Sequence, residues 1–217
     1  GRIIVIEAVA SGLTLSANPV DGQAYSSASS VFTSAPDLGG GAKVVYAGTE
    51  RQVTVTGLTP GTRYVVKVFE RTGSDEYQTS DVATNPRAFY TLPDVPATVG
   101  AATLVTTNSF QVNWTNPVGG FTGFQVSVGT NNSFTSFLTG YTSVDVGLVN
   151  LLSVNTNVFP NTTYYYRVRT ANTPGSNFSN WKVGPAAGVT TLPVAPTIPE
   201  ASASICIGDT YLMTPTA

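Results

Sequence analysis

Residues 53–70, VTVTGLTPGTRYVVKVFE, have a second version later in the chain at residues 154–170, VNTNVFPNTTYYYRVRT. Tyr64 of the first copy corresponds to Tyr164 of the second, an offset of 100 residues. This offset is too long for helical or propeller repeats and matches one β-sandwich of roughly 100 residues. The chain is therefore predicted to contain two sandwich modules.

Further signals indicate where the modules end. The tripeptide TLP closes both copies, at residues 91–93 and again at residues 191–193. Proline cannot donate a ladder hydrogen bond, so the segment LPDVP indicates a linker and not a central strand. We therefore expect one module over residues 1–93 and a complete second module over residues 94–193. Residues 194–217 are too few to close a sandwich and are expected to be the truncated start of a third module.

Each copy carries the pattern of a tyrosine corner. A branched apolar residue precedes Pro60 and Pro160 by two positions, and Tyr64 and Tyr164 follow four positions later, where a long strand opens. In such a corner the ring packs in the core and the hydroxyl bonds to backbone a few residues upstream. We therefore expect these two prolines and two tyrosines to be structural anchors and not a binding site.

The first module combines predicted strands with one long polar excursion. Strands are predicted at residues 2–8, 42–47, 51–56, 62–71 and 87–91. In the fourth strand the period of two places Tyr64, Val66 and Val68 on one face, and Val65, Lys67 and Phe69 on the other. The excursion over residues 9–41 is rich in Pro, Gly and Ser and exceeds an ordinary connection. It is predicted to wrap the sandwich and to form short edge strands near residues 23–25 and 30–33.

The second module shows a fuller set of strands. They are predicted at residues 97–106, 109–115, 122–129, 136–138, 153–158, 163–171 and 183–191, with mostly loop over residues 140–152. Trp114 shares one face of its strand with Phe110 and Val112 and is predicted to be a further core anchor. Seven strands with these turns predict an all-β fold of tandem Greek-key sandwiches.

Composition excludes most catalytic and metal chemistry. The chain has no histidine and a single cysteine, Cys206, so it has no Ser-His or Cys-His nucleophile, no histidine ligand and no internal disulfide. Asp75, Glu76 and Asp81 share one loop, which we interpret as solvated, with a weak calcium site as the alternative. We expect no cofactor, no metal and no enzymatic activity in these residues.

Charge and hydropathy limit the expected partners. Only 10% of the residues are charged, the net charge is −2, and no stretch concentrates Lys and Arg. Nucleic acids and anionic membranes attract clustered positive charge, so neither is an expected partner. No apolar run approaches the ~18 residues that cross a bilayer, so no membrane span is predicted. The chain opens on a hydrophobic strand without a signal-peptide pattern, and we expect it to be an internal segment of a longer protein.

Both copies resemble fibronectin type III domains in the Leu-x-Pro or Val-x-Pro turn and in the tyrosine that follows, and the second copy also has the core tryptophan of that family, Trp114. The stretches NPVDGQAY and VVYAG in the first copy, and VSVGTNNSFTSFLTGYTSVDVG in the second, are similar to tandem modules of very large secreted or surface proteins of Bacteroidetes. The tail SICIGDTYLMTPTA is similar to the opening of Ig-like repeats, which implies that the disulfide partner of Cys206 lies beyond Ala217.

The resemblance implies a non-catalytic structural or adhesive segment of a multi-modular bacterial cell-surface or extracellular protein, such as an adhesin or filament. The alternative is an accessory spacer or carbohydrate-binding region of a secreted polysaccharide-degrading enzyme. Expected partners are neighbouring modules of the same chain, other copies of the chain through strand addition or polymer contacts, and glycans.

Phe178 and Trp181 are the candidates for an exposed, glycan-binding aromatic pair. They lie in and beside a polar loop at residues 172–180. The resembled family also packs a tryptophan at this strand start against arginine side chains, and Arg167 and Arg169 are available for such cation–π contacts. We favour this structural role over the binding role.

The first module departs from the family pattern at its start. It has no counterpart of residues 97–115, which supply two strands and Trp114 in the second module. Without these strands, sheet edges and an apolar face would stay open. Either the missing strands precede Gly1, or another segment fills their place. Strand addition in trans, by residues 201–215 of one copy to residues 2–8 of another, is an alternative to a plain window on a long repeat protein.

Overall fold

The computed structural model describes residues 1–172 and 177–197. Over these residues the chain is all-β apart from one 3-10 turn at Phe32–Ser34, which confirms the predicted fold class. Its strands are β1 (Arg2–Ala8), β2 (Lys43–Gly48), β3 (Arg63–Glu70), β4 (Arg87–Tyr90), β5 (Phe110–Asn113), β6 (Gly123–Gly129), β7 (Val144–Gly147), β8 (Leu151–Val154), β9 (Thr163–Asn172), β10 (Asn177–Phe178), β11 (Lys182–Val183) and β12 (Val189–Thr190). No helix within the described ranges has the length and apolarity that a membrane crossing requires. The predicted third module beyond Thr197, with Cys206, lies outside the described residues.

Contacts between Cα atoms divide the chain into two compact units. The first comprises Gly1–Ala97, Pro117–Phe124 and Arg169–Asn180, and the second comprises Thr98–Asn116, Gln125–Val168 and the residues from Trp181 onward. The module boundaries expected at residues 93 and 193 stay a prediction.

The first unit is built on a four-stranded antiparallel sheet in the order β2-β1-β3-β4. This is the order of the C′, C, F and G strands of an immunoglobulin-like sandwich. β1 therefore has neighbours along both edges, and a tail from another copy could not add to residues 2–8 as the strand-addition hypothesis supposed. The edge strands of this sheet are β2 and β4, and β2 is bonded at Lys43 and Val44 to residues 29–37 of the excursion. An added strand would have to pair with β4 or with the second half of β2.

One face of the sheet is covered by the long excursion. The apolar sheet residues on this face are all 0% exposed; they are Ile3, Val5, Val44, Val65 and Phe69. Leu15 and Tyr77 cover them and are each 7% exposed, with Tyr25, Ala28 and Leu38 packed around the same cluster. Residues 9–41 thus wrap the sheet as predicted. The apolar residues that alternate with Tyr64 in β3 are consequently buried as well. The edge strands expected near residues 23–25 and 30–33 do not form, since the first is irregular and the second is a single bridge at Val31 followed by the 3-10 turn.

The opposite face carries the corner tyrosine. Tyr64 packs with Ile6, Ala35 and Val45, and the ring of Phe32 meets it edge-on at 5.3 Å between centroids. The N–H of Phe32 donates to the carbonyl of Thr56 at 2.8 Å, within a parallel bridge between Val31 and Thr56. Part of the excursion therefore lies beside the position that the E strand takes in a sandwich.

The strand predicted at residues 51–56 is the clearest error in this unit. Only Thr56 forms a β-bridge, and the preceding residues have no ladder, although Val53 and Val55 keep their alternation and are half-buried. A strand needs a partner along most of its length. In the described part of the chain, a single parallel bridge to Val31 takes the place of a full neighbouring strand.

The second set of strands forms two sheets. One has the order β10-β9-β6-β7, with β11 and β12 also paired to β9, and the other pairs β5 with β8. Two isolated bridges, from Val99 to Trp114 and from Thr103 to Gln111, are what remains of the strand predicted at residues 97–106. These pairings are the B–E and C′–C–F–G pairings of the sandwich that the sequence predicts.

Three expectations for this region were wrong in detail. The strand predicted at residues 136–138 is reduced to an isolated bridge between Phe137 and Gly129. Residues 140–152, predicted to be mostly loop, contain β7, which ends at Gly147 with a φ of 67°, and the start of β8. The strand predicted at residues 183–191 is broken into β11 and β12. Pro185 interrupts it, because proline has no N–H for the ladder, and its carbonyl instead accepts the N–H of Gly188 at 2.9 Å.

The core of the second unit follows the predicted alternation. Phe110, Val112 and Trp114 are 1%, 0% and 4% exposed, and Tyr164, Tyr166 and Val168 are 1%, 1% and 0% exposed. The rings of Phe110 and Tyr164 stack at 5.7 Å between centroids. Each of the two facing strands has two aromatic residues among these three inward positions, which explains the ring contacts in this core.

A pair of leucines tests whether the excursion belongs to the core of the first unit. Leu15→Ala should lower the free energy of unfolding of that unit by about 2–5 kcal/mol, because it leaves a cavity over the sheet. Leu13→Ala is the matched control, since Leu13 is 46% exposed; its effect should stay within about 0.5 kcal/mol. Chemical denaturation with hydrogen exchange at the β3 amides measures both. Equal, small effects would contradict the wrapped core.

Candidate binding surfaces

The two predicted tyrosine corners are built from the same hydrogen bond. Tyr64 and Tyr164 are each 1% exposed. The hydroxyl of Tyr64 accepts the backbone N–H of Thr59 at 2.8 Å, and the hydroxyl of Tyr164 accepts the backbone N–H of Phe159 at 2.9 Å. Both rings are enclosed and both hydroxyl groups are engaged with backbone, which places these residues in the core and not on a surface.

A threonine completes each corner, and sequence reasoning missed its role. The hydroxyl of Thr91 accepts the N–H of Thr62 at 2.9 Å and lies 2.7 Å from the carbonyl oxygen of Thr59, to which it donates. In the second copy, the hydroxyl of Thr191 repeats both contacts at 3.0 Å and 2.7 Å, with Thr162 and Phe159. The sequence signal for this role is the recurrence of TLP at the same offset of 100 residues, which by itself indicates only a module end.

Pro60 and Pro160 lie in the turns that lead into these corners. The carbonyl of Pro60 accepts the hydroxyl of Thr62 at 3.1 Å, and that of Pro160 accepts the hydroxyl of Thr162 at 2.9 Å. The residue after each proline has a left-handed backbone, with φ of 62° at Gly61 and 49° at Asn161. Glycine and asparagine are the residues that tolerate this conformation best, so each turn is consistent with its sequence.

Trp114 offers no surface for a ligand. It is 4% exposed, and its backbone N–H donates to the carbonyl of Asn150 at 3.1 Å. The ring lies on the inward face of its strand with Phe110 and Val112. A sugar could not stack on it without opening the core.

The side chains of Phe178 and Trp181 both lie against arginines. The guanidinium carbon of Arg167 is 4.4 Å from the ring centroid of Trp181, and that of Arg169 is 4.1 Å from the ring centroid of Phe178. Trp181 is half-buried and Phe178 is 36% exposed. A guanidinium on a ring face occupies the surface on which a sugar would stack. This geometry supports the structural role, and glycan binding by the pair stays an untested prediction.

The acidic loop residues point to separate partners. The carboxylate of Asp75 accepts a hydrogen bond from Arg71 at 2.6 Å, and the carboxylate of Asp81 pairs with Lys67 at 2.5 Å. Among the described residues, no three potential metal-binding side chains of the His, Cys, Asp and Glu types come together. Nothing in this loop resembles the cage of six to eight oxygens that calcium requires.

Lys67 is the most unusual charged residue of the first unit. It is 5% exposed in the middle of β3, and its ammonium donates to the carbonyl of Thr79 at 2.6 Å besides pairing with Asp81. It borders a cavity of about 290 Å³ that is also lined by Leu13 and Leu15. The sequence held a signal for it, a single lysine within the apolar run VVKVFE, which the alternation assigned to a face but not to the interior.

Four groups in the described residues have a clearly shifted pKa: Arg2, Asp37, Tyr77 and Tyr166. Tyr166 and Asp37 illustrate burial and hydrogen bonding as the causes. Burial raises the pKa of the Tyr166 phenol, whose hydroxyl donates to the carbonyl of Gly100 at 2.8 Å. The backbone N–H groups of Gly39 and Gly41 hold the pKa of the Asp37 carboxyl below its usual value. Both shifts lead away from neutral pH, whereas an acid–base catalyst is tuned toward its working pH. These two groups therefore have structural and not catalytic environments.

Comparison with known proteins gives a limited result. No protein-family model and no curated protein matches the chain. A two-domain fibronectin type III segment of chicken tenascin matches at 14% identity and a TM-score of 0.44, over 84% of this chain and 81% of that one. The FN1–FN3 domains of chicken CNTN1 match at 15% identity and a TM-score of 0.37, over 88% of this chain and 56% of theirs. A computationally redesigned β-sandwich protein matches at 25% identity and a TM-score of 0.39, over 48% of this chain and 95% of that one.

These TM-scores are too low to carry an argument about function. The assignment of a sandwich fold depends instead on the strand order of this chain and on its two corners.

The paired corners predict paired effects. Tyr64→Phe and Tyr164→Phe should each lower the free energy of unfolding of their own unit by about 0.5–1.5 kcal/mol, because each removes a part-buried hydrogen bond to the backbone. Tyr165→Phe is the matched control, since no hydrogen bond of its hydroxyl is found in the described residues. Thermal and chemical unfolding of the three variants measure the differences. A loss with Tyr165→Phe as large as with the corner variants would contradict this account.

The buried lysine predicts an asymmetric response of its ion pair. Asp81→Asn should lower the free energy of unfolding by about 1–2 kcal/mol, less than for a fully buried pair because Asp81 is 62% exposed at its side chain. Lys67→Met should be neutral or stabilising, since it removes the charge and keeps the apolar stem. Glu70→Gln is the control, because its pair with Arg2 is exposed and worth under about 1 kcal/mol. If Lys67→Met proves more harmful than Asp81→Asn, this interpretation is wrong.

Proposed function

We propose that this chain is a non-catalytic structural or adhesive segment of a multi-modular bacterial cell-surface or extracellular protein, an adhesin or filament of the kind the sequence resembles in Bacteroidetes. One observation carries the proposal: the same corner network is built twice, 100 residues apart, between Thr59, Tyr64 and Thr91 and between their counterparts. A module that reproduces its internal hydrogen bonds in tandem suits a protein whose task is length and spacing.

The side chains support a structural task. The aromatic residues considered for binding from the sequence are buried or lie against arginines; they are Trp114, Phe178 and Trp181. The acidic residues Asp75 and Asp81 are each engaged by a nearby cation. A chemical reaction would instead require convergent polar groups of matched acidity in one cleft.

Copies of the chain could associate by strand addition, which we keep as part of the proposal. The added strand would pair with β4 or with the second half of β2, since β1 and β3 have neighbours along both edges. The first half of β2 already bonds the excursion, through the N–H of Val44 and the carbonyl of Pro36 at 2.9 Å. Such edges are the usual sites of strand addition between β-proteins.

The surrounding reading frame tests the proposal. We expect further sandwich modules on one or both sides, without a catalytic domain. A catalytic domain in the same frame would overturn the proposal and would favour the alternative, a spacer or carbohydrate-binding region of a secreted polysaccharide-degrading enzyme.

Cell labelling gives an independent test of location. Antibodies raised against the 217-residue chain should label intact cells of the source organism or the medium around them. Labelling that depends on permeabilising the cells would contradict an extracellular role. An antibody against a cytoplasmic protein serves as the control for cell integrity.

A further inference from the structure

The two corners differ at the residue that donates their shared hydrogen bond. In the first corner this residue is Thr59, and in the second it is Phe159. The bond is made by the backbone N–H in both copies, at 2.8 Å and 2.9 Å, so the side chain at this position is not fixed by the corner. Phe159 is nevertheless a large apolar residue and is 65% exposed. The fold does not require an aromatic ring here.

A single exposed phenylalanine is common on protein surfaces, but this one borders a cavity. The cavity measures about 340 Å³ and lies within the second unit. Its apolar lining comes from Phe159, Phe137 and Leu138, and its polar lining includes Thr130, Thr139 and Asn157. This volume is near the lower end of the range for small-molecule sites, which is roughly 300–1,000 Å³. It would accommodate one small ring.

The walls of this cavity are tied to the sheet and to each other. The N–H of Leu138 donates to the carbonyl of Val128 at 2.9 Å, and Phe137 forms a bridge with Gly129 at the end of β6. The side-chain amide of Asn157 donates to the carbonyl of Thr139 at 3.3 Å. Preformed walls lower the ordering cost of binding, because few groups have to be immobilised when a ligand arrives.

Polar groups at this cavity are available to a ligand. The hydroxyl groups of Thr130 and Thr139 and the amide oxygen of Asn157 make no hydrogen bond in the part of the chain that the structure describes. All three residues are exposed. No charged side chain lines the cavity. Its chemistry therefore favours a neutral ligand with hydroxyl groups around an apolar face.

We propose that the Phe159 cavity is a binding site for a neutral pyranose unit of a glycan. One face of such a ring presents C–H groups, which suit the exposed phenyl ring of Phe159, while its hydroxyl groups suit Thr130, Thr139 and Asn157. Phe137 contributes to the wall only, because the Arg167 guanidinium already lies over its ring, 5.4 Å from the centroid. The other aromatic candidates are less suitable, since guanidinium groups lie over Phe178 and Trp181. The Lys67 cavity is also less suitable, because an ion pair borders it.

Titration of the 217-residue chain with neutral sugars tests this proposal. The probes are glucose, galactose, mannose, xylose and N-acetylglucosamine, each followed by amide chemical shifts. At least one should produce saturable shifts centred on Thr130, Leu138 and Phe159, with a Kd of about 1–10 mM, as for a small ligand bound along one face. If none of the five causes saturable shifts there, the proposal is overturned.

Variants separate the site from nonspecific effects. Phe159→Thr copies the residue of the first corner, keeps the backbone donor, and should weaken binding at least tenfold. Phe178→Thr makes the same chemical change at another exposed phenylalanine and should leave the Kd unchanged. If Phe178→Thr weakens binding and Phe159→Thr does not, the proposed site is wrong.

A second variant protects the test against a folding defect in Phe159→Thr. Thr139→Val removes one hydroxyl with little change of shape and should weaken binding by about threefold to tenfold. Unchanged affinity in both Phe159→Thr and Thr139→Val contradicts the proposal. Self-association that depends on Phe159, without sugar shifts, would also overturn it and would identify a contact between copies instead. Neither result depends on the reading-frame test of the structural role.

Discussion

One backbone N–H, donated to a tyrosine hydroxyl five residues later, is the contact on which each copy of the repeat depends. It fixes the entry of the long strand, at Thr59 in one copy and at Phe159 in the other. The following threonine hydroxyls, Thr91 and Thr191, then tie the chain after the last strand to the same turn. Buried backbone groups must find partners, and here two hydroxyl groups satisfy several of them at one point. The corner thereby joins the entry of one strand to the exit of another.

The sheet of the first unit adds a second constraint, because both of its faces are apolar. β1 lies between two neighbours, with Ile3 and Val5 0% exposed on one face and Ile6 4% exposed on the other. Such a strand must be covered on both sides. The excursion over residues 9–41 covers one side with Leu15, and its turn at Phe32 packs on Tyr64 from the other. A segment that looks like a polar insertion is therefore part of the core.

These two constraints explain what was predictable from the sequence. Period-two alternation and the corner pattern are local, so the burial of Tyr64, Trp114 and Tyr164 could be predicted. Whether a segment forms a strand depends also on distant residues, because a strand must pair with a neighbour. Residues 51–56 alternate correctly but form only one β-bridge, from Thr56 to Val31. The burial of Lys67 could not be predicted either, since it depends on Thr79 and Asp81, which approach only after the chain has turned back.

Repetition within one chain also separates what the fold demands from what it permits. Positions that match in both corners, such as Tyr64 and Tyr164, carry the shared hydrogen bonds and are constrained by packing. The position that donates the N–H is different, because the corner uses only its backbone and makes no hydrogen bond to its side chain. This position is threonine in one copy (Thr59) and phenylalanine in the other (Phe159), and the corner hydrogen bond is the same in both. Differences between copies at such positions, more than their similarities, are therefore where binding functions can arise on a repeated scaffold.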